Sequence, residues 1–372
     1  MKRKIRETLS PILAKNKLFH PLIKGRSILP FIGDQSHGKI KDSEYTFVMV
    51  VRGGFDVNKP NANYMIRRGF CNGFEGLGIA YRIISVWELG KQLKAIKKPI
   101  VFLSFYDYFD MDQPTRMQLR DIPHAVWIHP DNDVLSKVYN GFGFEYQKID
   151  DKAYSLVLDS HPSFVFTPSP ESAFDVFSKW TETGAKLVSV PLACDTTKYF
   201  PKEKESKYSE AEMAFVGGYW EKKAFQFDKY LKPFEDRLKV FGYTHWPYSG
   251  YSGLLPEGEE SILYQNSTVS PAISEPHAEF TGDIVERVFK IMGSGGLAVT
   301  DVIPYYKDLF KPDELLMPST VAEYKEMVEE CLTNEDFNSR YRTAGLKAIF
   351  ENHTYIHRAQ TILEQLGIEL ND

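Results

Sequence analysis

The sequence predicts an α/β protein built as two Rossmann-like domains whose parallel sheets face each other across a cleft. Three observations lead there. Short, fully apolar runs alternate with amphipathic helical stretches; a polar, proline-bearing segment near residue 200 interrupts the rhythm; and the rhythm then restarts. Strands apolar on both faces belong to parallel sheets covered by helices on each side. A length of 372 residues suits two such domains better than one.

The first half supplies strands at 46–51 (TFVMVV), 81–86, 99–105, 124–129, 163–168 and 186–192. Helices are expected near 61–77, 87–97 and 114–121, and over 171–184, where Gly184 closes the last. Segment 195–212 reads as a linker. Strands then follow at 213–218, 237–243, 267–274 and 297–301, with helices at 284–296, 321–334, 337–353 and 355–367. The expected organisation is a basic extension (1–40), an N-terminal Rossmann-like domain (41–198), a C-terminal Rossmann-like domain (199–353) and a terminal helix (354–372).

Composition narrows the partners. A net charge of −5 gives no global case for a polyanionic partner. Charge is concentrated at the start, where residues 1–26 carry eight Lys and Arg against the single acid Glu7. That stretch reads either as a solvated terminus or as a patch for peripheral contact with an anionic acceptor or membrane surface. Cys71, Cys194 and Cys331 are far apart and lack any CxxC spacing, which suits a reducing, cytoplasmic setting and gives no structural metal site. No apolar run approaches the roughly 20 residues of a membrane helix.

Ligands of open parallel sheets bind at the C-terminal ends of the strands. Glycines stand there in both halves: Arg52-Gly53-Gly54 after the first strand of one, Gly217-Gly218 after the first strand of the other. Such turns let backbone amides approach a diphosphate. Tyr219 and Trp220 follow directly and are placed to close over it. The loop 242–253, with Tyr243, is rich in aromatic residues that can stack on a base or sugar, or pack on the surface.

In the stretch 283–301, DIVERVFKIMGSGGLAVTD, helical spacing puts Asp283, Arg287 and Lys290 on one face. By spacing alone they are either a solvated face, with pairs worth about 0.2–0.5 kcal/mol each, or a ligand-facing set. His277 and Glu279 lie just before and are candidates for contacts to ligand hydroxyls. Groups able to act as a general base are sought at strand ends of the first half. The order of preference is His129 and Asp131, then Asp107, then Asp56. Asp110-x-Asp112 reads as a polar loop or helix cap rather than a metal motif.

The run RVFKIMGSGGLAVTD, then YYKDLF (305–310) and NHTYIHRA (352–359), resembles the C-terminal domain of group-1 glycosyltransferases of GT-B fold. Within that family it is similar to the CgeB-like, spore-maturation subgroup. The resemblance covers residues 212–365. It implies a metal-independent glycosyltransferase that moves a sugar from a nucleoside diphosphate, expected to be UDP, to an acceptor hydroxyl. The nucleotide-sugar is a co-substrate, and no cofactor is implied. By position, Arg287 and Lys290 face the donor's diphosphate and ribose. The family more often has a glutamate where Lys290 stands, and the other acid of the wider superfamily's pair falls at Gly282. Lys290 is therefore expected to give its charge to the diphosphate.

Two alternatives stand beside this reading. A nucleotide-sugar 2-epimerase of the same fold requires several carboxylates around the sugar and a two-glutamate ribose motif, which the sequence lacks. A non-catalytic two-domain binding protein closes on its ligand by a hinge. The acceptor is open among a glycan, a lipid-linked glycan, a protein, a metabolite and a modified DNA base.

Overall fold

The computed structural model describes residues 38–52, 62–145, 148, 150–202 and 211–370. It is an α/β structure with parallel sheets. Strands β1 (Thr46–Val51), β2 (Ala80–Ser85), β3 (Pro99–Ser104), β4 (His124–Trp127), β5 (Phe164–Thr167) and β6 (Leu187–Ser189) form one sheet in the order β2-β1-β3-β4-β5-β6. Its registers are parallel, Phe47 opposite Tyr81 on one side and Ile100 on the other. The apolar runs are the reason: Phe47, Val48, Met49 and Val50 are wholly buried.

The chain forms two compact units. One takes the described residues up to Ile128, with Asp150–Val165 and Gln365–Ile368. In it, α1 (Ala62–Gly76) lays Phe70 and Phe74 against β1 and β3: Phe47 stacks on Phe74 at 3.8 Å and Phe70 meets Phe102 at 4.8 Å. Short helices α2 (Leu89–Leu93) and α3 (Gln113–Leu119) follow, then α5 (Lys152–Leu158). Asp112 starts α3 by accepting from the Thr115 amide at 2.9 Å, so the DMD triplet is a cap, as its polar setting predicts.

The other unit holds His129–Ile149, Phe166–Glu364 and Glu369–Asp372. Its sheet is built from β7 (Met213–Val216), β8 (Leu238–Phe241), β9 (Ser270–Ala272) and β10 (Ala298–Thr300). The pairs β7–β8 and β9–β10 are parallel, and a parallel bridge between Met213 and Val269 joins them into the order β8-β7-β9-β10. Further bridges from Val240 to Tyr251 and from Val299 to Leu316 extend both edges. Phe215, Phe227, Trp246, Val269 and Val299 fill the core. Helices α4 (Asn132–Gly141), α6 (Ser178–Glu182), α7 (Ala224–Tyr230), α8 (Glu259–Asn266), α9 (Ala278–Thr281) and α10 (Arg287–Gly293) belong to this unit. So do α11 (Val321–Thr333) and α12 (Glu335–Asn352), and α13 (Tyr355–Leu366) begins in it.

Two expectations are corrected here. The helix expected over 284–296 spans only 287–293, because Gly282 ends α9 in left-handed backbone (φ 66°) and residues 283–285 cross as loop. Asp283 therefore shares no helix face with Arg287 and Lys290. The helix expected over 171–184 is a tight 3₁₀ segment (Glu171–Phe177) running into the short α6. No described helix is long and apolar enough to cross a membrane. Residues 1–37 of the basic extension lie outside the described residues.

Candidate functional site

In the order β8-β7-β9-β10 the chain leaves β7 in one direction and enters β9 on the other side. The crevice at the carboxyl ends of such a neighbouring pair is where open α/β sheets take ligands. Two carbonyls mark it, Val216 at the end of β7 and Ile273 just past β9. Arg287 reaches both, its Nε donating to Val216 O and its Nη1 to Ile273 O, each at 3.0 Å. The guanidinium carbon also sits 4.3 Å from the centre of the Phe215 ring. The side chain is thus fixed before any ligand arrives.

A second cation converges on the same point. Lys223, 3% exposed, donates to Ile273 O at 2.8 Å and to Glu275 Oε1 at 3.1 Å. Burial pulls its pKa below the ordinary lysine value, Glu275 works the other way, and the charge of Arg287 adds to the fall. Sequence reasoning passed over Lys223. A signal existed: Lys222 and Lys223 stand at the start of α7, where the helix dipole disfavours cations.

The Gly217-Gly218 turn is built tightly into this point. Gly217 N donates to Phe241 O at 2.8 Å, and its carbonyl accepts from Trp246 Nε1 at 2.9 Å. A Cβ on Gly217 would lie 2.8 Å from Arg287 Nη2 and 2.9 Å from the Phe215 ring. The Tyr219 amide donates to Thr244 Oγ1, and its ring turns inward onto Phe227 and Trp246. Tyr219 therefore does not stand ready as a cover over a ligand. Trp220 and Tyr243 do face solvent, 45% and 42% exposed, with ring centres 5.6 Å apart.

Below the crevice the buried Asp301 accepts from Ser274 N (2.7 Å) and Ser274 Oγ (3.1 Å), and Ser274 Oγ also meets Tyr306 Oη (3.1 Å). Burial raises the Asp301 pKa to about 6, against the pull of Ser274 and Lys223. This braces the strand end that carries Ile273. On the loop beyond, His277 bridges Tyr139 of α4 (Nδ1 to Oη, 2.8 Å) and Asp283 (Nε2 to Oδ2, 3.3 Å). Glu279 is exposed on α9. Tyr139 has no sequence signal, since only the fold brings it to His277.

Lys290 is placed differently from expectation. It is buried and pairs with Glu286 at 2.8 Å, one helical turn back. Burial opposes its charge, but Glu286 and Glu260 more than restore it, and its pKa stands above the ordinary lysine value. Its charge is matched inside the protein rather than held out for a diphosphate.

The candidate bases fare unequally. Asp107 is wholly buried and accepts from the Ser104 amide at 2.7 Å, closing a capping box. Asp131, 3% exposed, accepts from Ser178 Oγ (2.8 Å) and Lys179 N (3.0 Å) in the first turn of α6. Both carboxylates serve helix starts, which corrects their assignment as bases. His129 lies two residues past the end of β4, half-buried, its carbonyl accepting from Trp180 Nε1 at 3.2 Å. Arg52, expected at the donor, pairs with Asp110 (Nε to Oδ2, 2.6 Å). Gly53, Gly54 and Asp56 lie outside the described residues. Among those described, no group of three or more His, Cys, Asp and Glu is arranged to hold a metal ion.

Comparison with known proteins agrees with this architecture. The structure is similar to the sucrose-phosphate synthase of Thermosynechococcus elongatus (TM-score 0.60, 11% identity, 87% of this chain and 97% of that one). It is also similar to the trehalose-6-phosphate structure from E. coli bound with UDP-2-fluoro glucose (TM-score 0.57, 7% identity, 87% and 99%). A third likeness is to T4 phage β-glucosyltransferase in complex with its UDP-glucose substrate (TM-score 0.53, 10% identity, 87% and 97%). At such identities the likeness is one of fold. No curated protein matches the sequence. Residues 223–364 match the family model described as glycosyl transferase-like.

Proposed function

We propose that the protein transfers a sugar from a UDP-sugar to an acceptor hydroxyl without a metal ion. One observation carries the reading: Arg287 and Lys223 meet at a single carbonyl of the sheet's switch point, beside a Gly-Gly turn. Two cations beside a side-chain-free turn suit a diphosphate, whose charge grows as the glycosidic bond breaks. UDP-glucose in the T4 phage enzyme supports the choice of donor. Trp220 and Tyr243 are proposed to stack on the base, and the His277–Asp283 pair to meet a sugar hydroxyl through its carboxylate.

In this reading residues 199–353 bind the donor and 41–198 the acceptor, with His129 as the proton acceptor. The acceptor belongs to the class of glycans, lipid-linked glycans, proteins, metabolites and modified bases. The CgeB-like affinity and a cytoplasmic setting complete the proposal. The epimerase alternative loses support, since glycine and a paired lysine stand where its ribose acids belong.

The test is a thermal-shift screen of UDP, GDP, ADP and their glucose conjugates, followed by release of UDP from UDP-glucose. A bound ligand at a hundred times its Kd stabilises by about 2.7 kcal/mol. The expected result is a shift with UDP that disappears in Arg287→Ala. No shift with any nucleoside diphosphate overturns the reading.

A further inference from the structure

The motif His353-Thr354-Tyr355-Ile356-His357-Arg358 plays no part in the site as described. Its groups are nonetheless committed. Arg358, 7% exposed, donates to Pro191 O (2.8 Å), Leu192 O (3.3 Å) and Asn352 O (3.1 Å). Cys194 N donates to His353 O at 2.9 Å and Tyr355 N to Cys194 O at 3.1 Å, so segment 191–194 is tied to the start of α13. The Tyr355 ring, 2% exposed, directs its hydroxyl to Glu286 Oε1 at 2.7 Å. The other oxygen of Glu286 meets Lys290 at 2.8 Å.

Glu286 immediately precedes Arg287. It is the N-cap position of α10, a helix of seven residues with no side-chain cap of its own. A helix this short is marginal by itself, and its free amides give no fixed orientation. The carboxylate of Glu286, held from α13 on one side and from Lys290 on the other, anchors that first turn. One residue later, Arg287 must meet two carbonyls at once, both at 3.0 Å. Hydrogen bonds weaken steeply with small changes of angle and distance, so a rotation of the first turn would break at least one of them.

We propose that Tyr355 is a positioning residue for donor binding: through Glu286 and Lys290 it sets the first turn of α10, and with it the guanidinium of Arg287. This rests on the diphosphate reading above. It also gives the HTYxHR motif a task, fixing the donor helix from behind rather than touching the donor.

The experiment measures UDP affinity by calorimetry for wild type, Tyr355→Phe, Arg287→Lys and the double variant. Tyr355→Phe keeps the ring and removes one hydroxyl, a hydrogen bond to a charged group. About tenfold weaker UDP binding is expected in the wild-type background and less than twofold further loss in the Arg287→Lys background. Glu286→Gln, measured beside it, is expected to show the same non-additivity, and it decides the matter if Tyr355→Phe does not fold. UDP affinity within twofold of wild type, or equal losses in both backgrounds, overturns the proposal. A wild-type protein that binds no nucleoside diphosphate overturns the diphosphate reading and this inference together, a distinct result.

Discussion

Lys223 and Arg287 donate to one and the same acceptor, the carbonyl oxygen of Ile273, at 2.8 and 3.0 Å. The donating nitrogens are then no more than about 6 Å apart, where two unit charges repel by about 3 kcal/mol at an effective dielectric near 20. Glu275, itself 42% exposed in its side chain, offsets part of this. An incoming dianion would relieve the remainder. Lys223→Ala and Arg287→Ala are each expected to lower UDP-sugar turnover by about 10²-fold while the fold persists. Turnover assays with circular dichroism check this, and unchanged kinetics in both variants would return the two side chains to a structural role.

Lys290 should behave otherwise. Lys290→Ala strands Glu286 in a buried site, a loss of about 3–5 kcal/mol. Urea unfolding should register that, and the damage to stability should exceed that seen for Arg287→Ala. If Lys290→Ala unfolds at the same urea concentration as wild type, the buried pair is not what holds this turn.

Gly217→Ala introduces a methyl 2.8 Å from the Arg287 guanidinium and 2.9 Å from the Phe215 ring. The arginine tip is the softer neighbour, so it should yield. We expect a modest stability loss, about 1–2 kcal/mol, with a larger fall in UDP affinity. Calorimetric titration showing wild-type affinity in this variant would contradict the close fit of turn and arginine.

Two buried imidazoles make stability depend on pH. Burial lowers the pKa of His124 to about 4, against its bond to the Ile122 carbonyl. Burial and Arg358 lower that of His353 to about 3. An unfolded imidazole titrates near 6.5. Between those values the unfolded chain binds protons that the folded chain does not, so this stability is full above about pH 6.5 and is lost as pH falls. The loss is up to about 1.4 kcal/mol per pH unit for each histidine. Urea titrations at pH 7, 6 and 5 should show a shallower decline in His124→Gln, and parallel declines would rule out His124 as a source.

EDTA is expected to leave UDP-sugar turnover unchanged in the metal-independent mechanism proposed. Loss of turnover on chelation, restored by Mg²⁺ or Mn²⁺, would count against it.

The sheets were the most legible part of the sequence. TFVMVV has no polar residue after Thr46 to support any other reading, and β1 spans those same six residues. Element ends were harder. Ile284 continues a helical apolar period, yet the left-handed Gly282 keeps the chain from entering a helix until residue 287. Some of the candidate site was readable but went unread. Ser104-x-x-Asp107 is a capping box, and Glu286 stands four residues before Lys290, the spacing of a helical ion pair. The partners of Asp131 lie 47 and 48 residues away, and Tyr139 lies 138 residues from His277. No local pattern encodes such pairs.

The three cysteines form no disulfide and are buried, Cys71 in α1, Cys194 beside the start of α13 and Cys331 in α11. Burial pushes the Cys194 thiol far up and that of Cys331 to about 12, which starves both of reactive thiolate. Alkylation must then wait for each neighbourhood to open. The native chain accordingly carries three built-in clocks, and mass-resolved labelling over time can rank how often each region breathes without adding a single foreign probe.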